Sequence, residues 1–206
     1  MNDGDRHSVL AACRRQRFAK GDAVFRAGEP GESLHLLAEG TVAVSVSTPL
    51  GDVATLDVLR PGDAFGEQAL IAERSIRSAT VVALEPAQTL QLTRQDFEQL
   101  LAEHPGVLRL LVQVLDARLR ATSQNLVDAL YMPVETRAYR RLAALASIYA
   151  DREAIPLTQD ELASMVGTTR QSLNKVLRQA QDEGLVTLAR GKVTVIDPNA
   201  IARRGR

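Results

Sequence analysis

The chain has 206 residues, 45% of them hydrophobic, and its 25 Lys+Arg balance 25 Asp+Glu to a formal net charge of zero. This length suits one large or two small domains; 3% aromatics without Trp argue against a base-stacking single-strand binder, and the lone Cys13 excludes a disulfide framework and a cysteine-only iron–sulfur or zinc site. The charge is unevenly spread: residues 133–206 carry 12 Lys+Arg against 8 Asp+Glu, leaving 13 against 17 in residues 1–132, a bias that points the C-terminal part toward nucleic acid.

Residues 18–95 are punctuated by Gly21-Asp22, Gly51-Asp52 and Pro61-Gly62-Asp63, with short β-rich runs around them: "TVAVSVS", "DVATLDVL", "ATVVALE" and "TLQLT". Several alternate apolar and polar residues, the period of a strand with one face buried. Many short strands at this spacing predict a small antiparallel roll or barrel. Helix is expected only over the first ~17 residues and in "EQALIAE", 67–73. Within this section "FGEQALIAERSIRSAT", 65–80, raises a question. Arg77 precedes an apolar run, Ala79 to Leu84, with no obvious partner nearby in sequence. It is either an exposed turn residue or a buried cation that needs a counter-charge.

Residues 105–131 change period. After Pro105, Leu108, Val112, Leu115, Leu119, Thr122, Leu126 and Ala129 fall at alternating steps of four and three, a heptad seam over about three repeats. So narrow a stripe on so long a helix predicts pairing with a second helix in preference to packing on its own roll. The seam includes Thr122, followed by Ser123: two hydroxyls in an otherwise apolar stretch. "YMPVETR", 131–137, breaks the helix at Pro133 and reads as a short hinge.

Beyond the hinge, "VETRAYRRLAALASIYA" has the period of a helix. "LTQDELASMVGTTRQSLNKVLRQAQDEG" gives two helices around a tight turn. Thr158 and Glu161 make a capping box, Ala163 allows close approach, Gly167 turns the chain, Leu173 and Val176 face inward, and Gly184 ends the second helix. "LVTLARGKVTVID" alternates about Arg190-Gly191 and predicts a hairpin wing. These offsets are those of a winged helix-turn-helix. Its second helix would present Arg170, Gln171, Asn174 and Lys175 to base edges, with Arg170 and Asn174 on one face and Gln171 and Lys175 on another. Thr168, Thr169, Ser172 and wing Lys192 are candidate phosphate contacts.

The fold class read from these elements is α+β: an N-terminal antiparallel β-roll over 1–104, a long dimerisation helix over 105–132, and a C-terminal winged helix-turn-helix over 133–206. In that order the elements resemble the cyclic-AMP receptor protein family, the Crp/Fnr-type bacterial transcription regulators, over nearly the whole chain. "FGEQALIAERSIRSAT" is similar to that family's phosphate-binding cassette: Gly66-Glu67, a short helix, then Arg77-Ser78-Ala79 at matching spacing.

The resemblance implies a jelly-roll-like, cyclic-nucleotide-binding roll with cAMP as allosteric ligand, in a homodimer that binds a near-palindromic operator in double-stranded DNA. Arg77 would pair with the cyclic phosphate and Ser78 would add a hydroxyl. Backbone N–H groups of Gly66, Glu67, Gln68 and Ala69 would complete the anion cradle, and Glu67 would accept from the ribose hydroxyl. Thr122 would meet the purine from the same subunit and Ser123 from the other. The resemblance also implies RNA polymerase as a partner, although "SIYADREAIPLT" is shorter than the polymerase-contacting connection of the best-known member. Gln171 and Lys175 stand where that member has Glu and Arg, so its operator preference is not carried over whole; Gln68 and Ile76 differ too. Alternatives within the architecture are cyclic GMP, cyclic di-GMP or no nucleotide. A small β-roll metalloenzyme is a remote one, because of the three histidines only His35 lies among the β-rich runs of the roll; neither catalysis nor metal is expected. No apolar run approaches ~18 residues, so no membrane span is expected and the expected location is the cytoplasm.

Overall fold

A computed structural model of the chain describes residues 9–48, 53–71 and 75–206; the pair Gly51-Asp52, His7 and the end of "EQALIAE" lie outside them. The chain forms two compact units, Met1–Val46 with Leu56–Thr122 and Ser47–Thr55 with Ser123–Arg206.

The first unit is built on strands β1 (Arg14–Phe18), β2 (Ala23–Phe25), β3 (Ser33–Glu39), β4 (Val42–Ser47), β5 (Val53–Leu59), β6 (Ala64–Phe65), β7 (Thr80–Ala83) and β8 (Ala87–Thr93). They make two four-stranded sheets, β1-β8-β3-β6 and β2-β7-β4-β5, with antiparallel pairings such as β3 on β8 and β4 on β7. One apolar cluster draws on both sheets: Phe25, Leu37, Val42, Val44, Phe65 and Val81. Each such side chain contributes roughly 1.5–3 kcal/mol on burial. Along β3, Ser33, His35 and Leu37 are buried while their neighbours are half-buried, so two polar residues occupy inward positions.

Strands β4, β5, β7 and β8 fall within the four β-rich runs, as predicted. Two expectations are corrected. Residues 9–12 are helical, but 14–18 form β1, which runs along the sheet edge against β8 with Arg14 opposite Gln91 and Phe18 opposite Ala87. "RRQRF" has no apolar period to reveal it, and exposed arginines on an edge strand discourage further pairing. The start of "EQALIAE" is a 3-10 turn, Glu67–Leu70, rather than an α-helix. The structure also adds β3, whose "SLHLLAE" is rich in helix-forming Leu, Ala and Glu; pairing with β8 overrides that propensity.

Helix α1 (Arg94–Glu103) follows, capped by the Thr93 hydroxyl on the Asp96 amide. The long helix α2 (Gly106–Tyr131) starts after Pro105, as expected. Its Val107 and Leu111 are buried in a second cluster with Leu92, Phe97 and Leu100, and Leu115 is packed against it. The remaining large seam residues stay uncovered: Leu108, Val112, Leu119 and Leu126 are exposed, along with Val127, Leu130 and Tyr131.

The second unit contains α3 (Val134–Ile148), α4 (Gln159–Val166), α5 (Arg170–Asp182), the hairpin β9 (Val186–Ala189) with β10 (Lys192–Val195), and α6 (Pro198–Arg204). Pro133 sits immediately before α3. The Thr158–Glu161 capping box is present, and Gly167 ends α4 at φ +68°, a left-handed conformation that Cβ-bearing residues avoid. Leu173, Leu177 and Ala180 form the buried face of α5, whereas Val176 is only half-buried. Gly184 stands just past α5, with Leu185 N–H closing on the Ala180 carbonyl at 2.8 Å.

Candidate functional site

The cassette is held from both ends. The Arg77 N–H donates to Glu29 O at 2.8 Å and the Arg77 carbonyl accepts from Gly28 N–H at 2.9 Å, so its backbone cannot swing outward. Its side chain is 8% exposed: the buried reading is the right one. The guanidinium lies over the Phe25 ring, with Cζ 3.9 Å from the centroid. Nη1 donates to Gly66 O at 3.2 Å and Nη2 to Ser33 Oγ at 3.1 Å. Nε is buried without a hydrogen-bond partner among the described residues. Burial pulls the Arg77 pKa below its ordinary value, while the charges of Glu29, Glu67 and Glu32 pull it back up. An arginine stays charged through this, so the group is a buried cation with a donor in reserve.

Gly66 has φ +77°, and a Cβ there would lie 2.5 Å from Arg77 Nη1. The glycine therefore suits the left-handed backbone there and leaves the guanidinium its place. In the following turn Ala69 N–H donates to Gly66 O at 3.1 Å, while the amides of Glu67 and Gln68 lead the turn, where helix geometry supplies no acceptor. Glu67 is 2% exposed, and Gln68 and Ser78 are exposed.

Glu67 already has a cationic partner that sequence reasoning missed. Arg118 of α2 donates to its Oε1 at 3.4 Å and Oε2 at 3.3 Å. The available signal was spacing: Arg118 is four residues before Thr122, on the same helix face. The hydroxyls of Thr122 and Ser123 are exposed and make no hydrogen bond among the described residues.

Behind Arg77 lies a buried polar relay. Ser33 Oγ accepts from Arg77 Nη2 and from Gln91 Nε2, both at 3.1 Å. Its own proton is then left for His35 Nε2 at 3.3 Å, which leaves Nδ1 protonated and donating to Thr89 Oγ1 at 3.1 Å. Burial first, and the Arg77 charge second, lower the His35 pKa to about 4, so the ring is neutral at pH 7. It stacks on Phe65 at 5.4 Å between centroids. No cluster of His, Cys, Asp and Glu suited to a metal occurs among the described residues, and no helix among them is long and apolar enough to cross a membrane.

In the second unit, the two stripes of α5 are not equivalent. Arg170 Nη1 pairs with Asp160 Oδ2 at 3.1 Å and Asn174 Nδ2 donates to Gln159 Oε1 at 2.8 Å, so this stripe is engaged by α4. Gln171 and Lys175 are exposed and unpartnered among the described residues. Thr169 is spent as the helix cap: its Oγ1 accepts from Ser172 N–H at 3.2 Å and donates to Ser172 Oγ at 3.0 Å. Thr168 is half-buried, and Lys192 is exposed at the start of β10.

Comparisons with known proteins agree with this division. Residues 15–104 match the family model of the cyclic nucleotide-binding domain, and 136–204 that of the Crp-like helix-turn-helix domain. The chain is 30% identical over 209 residues to the CRP-like cAMP-activated global transcriptional regulator of Mycobacterium tuberculosis, across 97% of this chain and 93% of that one. It is 31% identical over 192 residues to the cAMP-activated global transcriptional regulator CRP of Pasteurella multocida, across 91% of each. A solved CRP-family transcriptional regulator from Thermus thermophilus has the same fold at a TM-score of 0.79 and 28% identity, over 92% of this chain and 96% of that one.

Proposed function

Because the chain belongs to the Crp/Fnr family of DNA-binding transcription regulators, we propose that it is a cAMP-responsive homodimer that reads a near-palindromic operator. The observation that carries this reading is the buried Arg77, whose Nε has no partner among the described residues, beside a glycine held at φ +77°. A small anion relieves that unmet donor and charge. Activation by cAMP in the two relatives above supports that nucleotide over cyclic GMP or cyclic di-GMP. Arg77, Ser78, Gly66 and the amides of Glu67 and Gln68 hold the phosphate; Glu67, shared with Arg118, takes the ribose hydroxyl. Thr122 and Ser123 face the purine, one from each subunit.

Segments 1–104, 105–132 and 133–206 serve as ligand domain, dimer helix and DNA domain. The uncovered Leu108, Val112, Leu119 and Leu126 support pairing of two long helices. A two-fold dimer sets two α5 helices about one DNA turn apart, ~34 Å. The nucleotide acts by favouring one arrangement of the pair, and only by its differential affinity for the two states. The protein acts in the cytoplasm, with RNA polymerase as its further partner and no catalytic step.

Calorimetric titration with cAMP, cyclic GMP and cyclic di-GMP tests the reading, together with operator binding in the presence and absence of each. We expect cAMP to bind and to raise operator affinity, and Arg77→Leu to weaken cAMP binding by about 100-fold or more while melting as a folded protein. No heat with cAMP and no change in DNA affinity would end it.

A further inference from the structure

The second unit contains a joint that no part of the ligand or DNA reading uses. Arg137, in the first turn of α3, spreads its guanidinium over four backbone carbonyls. Nη1 donates to Ala129 O at 3.2 Å and to Met132 O at 3.1 Å. Nε donates to Val166 O at 3.2 Å and Nη2 to Gly167 O at 3.1 Å. The first two carbonyls belong to the end of the long helix α2 and the hinge; the other two belong to the end of α4 and to the glycine that starts the turn into α5. A helix C-terminus leaves carbonyls unpaired and carries partial negative charge. A planar cation with five donors answers two such ends at once; a lysine ammonium, with three donors around one atom, cannot reach in both directions.

A second arginine on the same face anchors the same helix end. Arg140 Nη1 pairs with Asp128 and its Nε donates to Gly205 O at 2.9 Å. Asp128 also accepts from Gln124 Nε2 at 2.8 Å. Burial would raise the Asp128 pKa, but these hydrogen bonds and the charges of Arg140 and Arg137 outweigh it and hold the carboxyl below its ordinary value. The end of α2 is therefore fixed to α3, and Arg137 alone of the pair continues to the turn between α4 and α5.

We infer that Arg137 is the positioning residue that sets the recognition helix α5 relative to the end of the long helix, and through which a change in that helix reaches the DNA-reading side chains. It acts through Gly167, whose φ of +68° directs the chain from α4 into α5. It contacts neither base nor nucleotide in this scheme. Only the nucleotide arm of the test below rests on the function proposed above.

The test uses the full chain, wild type, Arg137→Lys and Arg137→Gln, with three probes: a duplex selected by the wild type from random DNA, a duplex of unrelated sequence, and cAMP. Lysine keeps the charge and removes the fork. For Arg137→Lys we expect binding of cAMP and of unrelated DNA within about threefold of wild type, an affinity for the selected duplex about tenfold or more lower, and a nucleotide effect on that affinity reduced toward none. Arg137→Gln should behave alike, and if it melts early the lysine variant decides. Wild-type affinity for the selected duplex in Arg137→Lys, or an equal loss on both duplexes, overturns the inference. If the wild type itself ignores cAMP, the ligand reading fails, and the ratio of selected to unrelated affinity still judges Arg137.

Discussion

Arg77 shows what a single side chain reveals about its surroundings. A cation before an apolar run is legible as an anomaly, but its burial, its stacking on Phe25 and its idle Nε are not. Those depend on β2 and β3, distant in sequence. His35 is the sharper case, since alone in the sequence it is only a scattered histidine. In the fold it is a neutral link between Ser33 and Thr89, held with a pKa of about 4. The unfolded chain binds a proton near the ordinary histidine pKa, ~6.5, and the folded one only near 4. Between those values the unfolded state holds more protons, so acid favours unfolding. His35 should therefore cost the roll up to roughly 3 kcal/mol as pH falls through that window. Urea unfolding at pH 7 and pH 4.5 checks this: His35→Gln should flatten the pH dependence. An unchanged slope would place the acid sensitivity elsewhere.

At the scale of elements, what the sequence announced was local. The capping box at Thr158, the break at Pro133 and the wing about Arg190-Gly191 all lie within a few residues of their causes. β1 and β3 escaped because their strand character comes from β8, 49–77 residues away by register. The long helix combines both situations. Its seam is legible as a period, yet Val107 and Leu111, off the seam, join seam Leu115 in packing it on the cluster with Leu92, Phe97 and Leu100. That leaves Leu119, 66% exposed, and Leu126, 58% exposed, as the seam residues the proposed dimer would cover. Leu119→Glu with Leu126→Glu should raise the dimer dissociation constant about 100-fold or more by placing charges in the pair's seam. Analytical ultracentrifugation would register this as monomer at micromolar concentration. A dimer as stable as wild type would assign dimerisation to another surface.

On the whole molecule, the charge bias toward the C-terminal part meets the helix-turn-helix that the family match assigns to residues 136–204. Within it, Lys175 is exposed on α5 and Lys192 on the wing, and the two should differ in kind. Lys175→Ala should cost ~1–3 kcal/mol on the selected operator and relax its specificity, whereas Lys192→Ala should weaken all duplexes alike and lower the salt slope by about one. Fluorescence anisotropy over a salt series separates them; the reverse pattern would exchange their roles. The sequence by itself determined the succession of roll, long helix and winged helix-turn-helix, because periods, caps and turn residues act between near neighbours. Only the tertiary structure decided that Arg77 is buried with a donor to spare, that Arg118 holds Glu67, that α4 engages one stripe of α5 and leaves the other, and that Arg137 bridges two helix ends. Each of these depends on groups that chain connectivity keeps apart and that only packing brings within hydrogen-bonding distance.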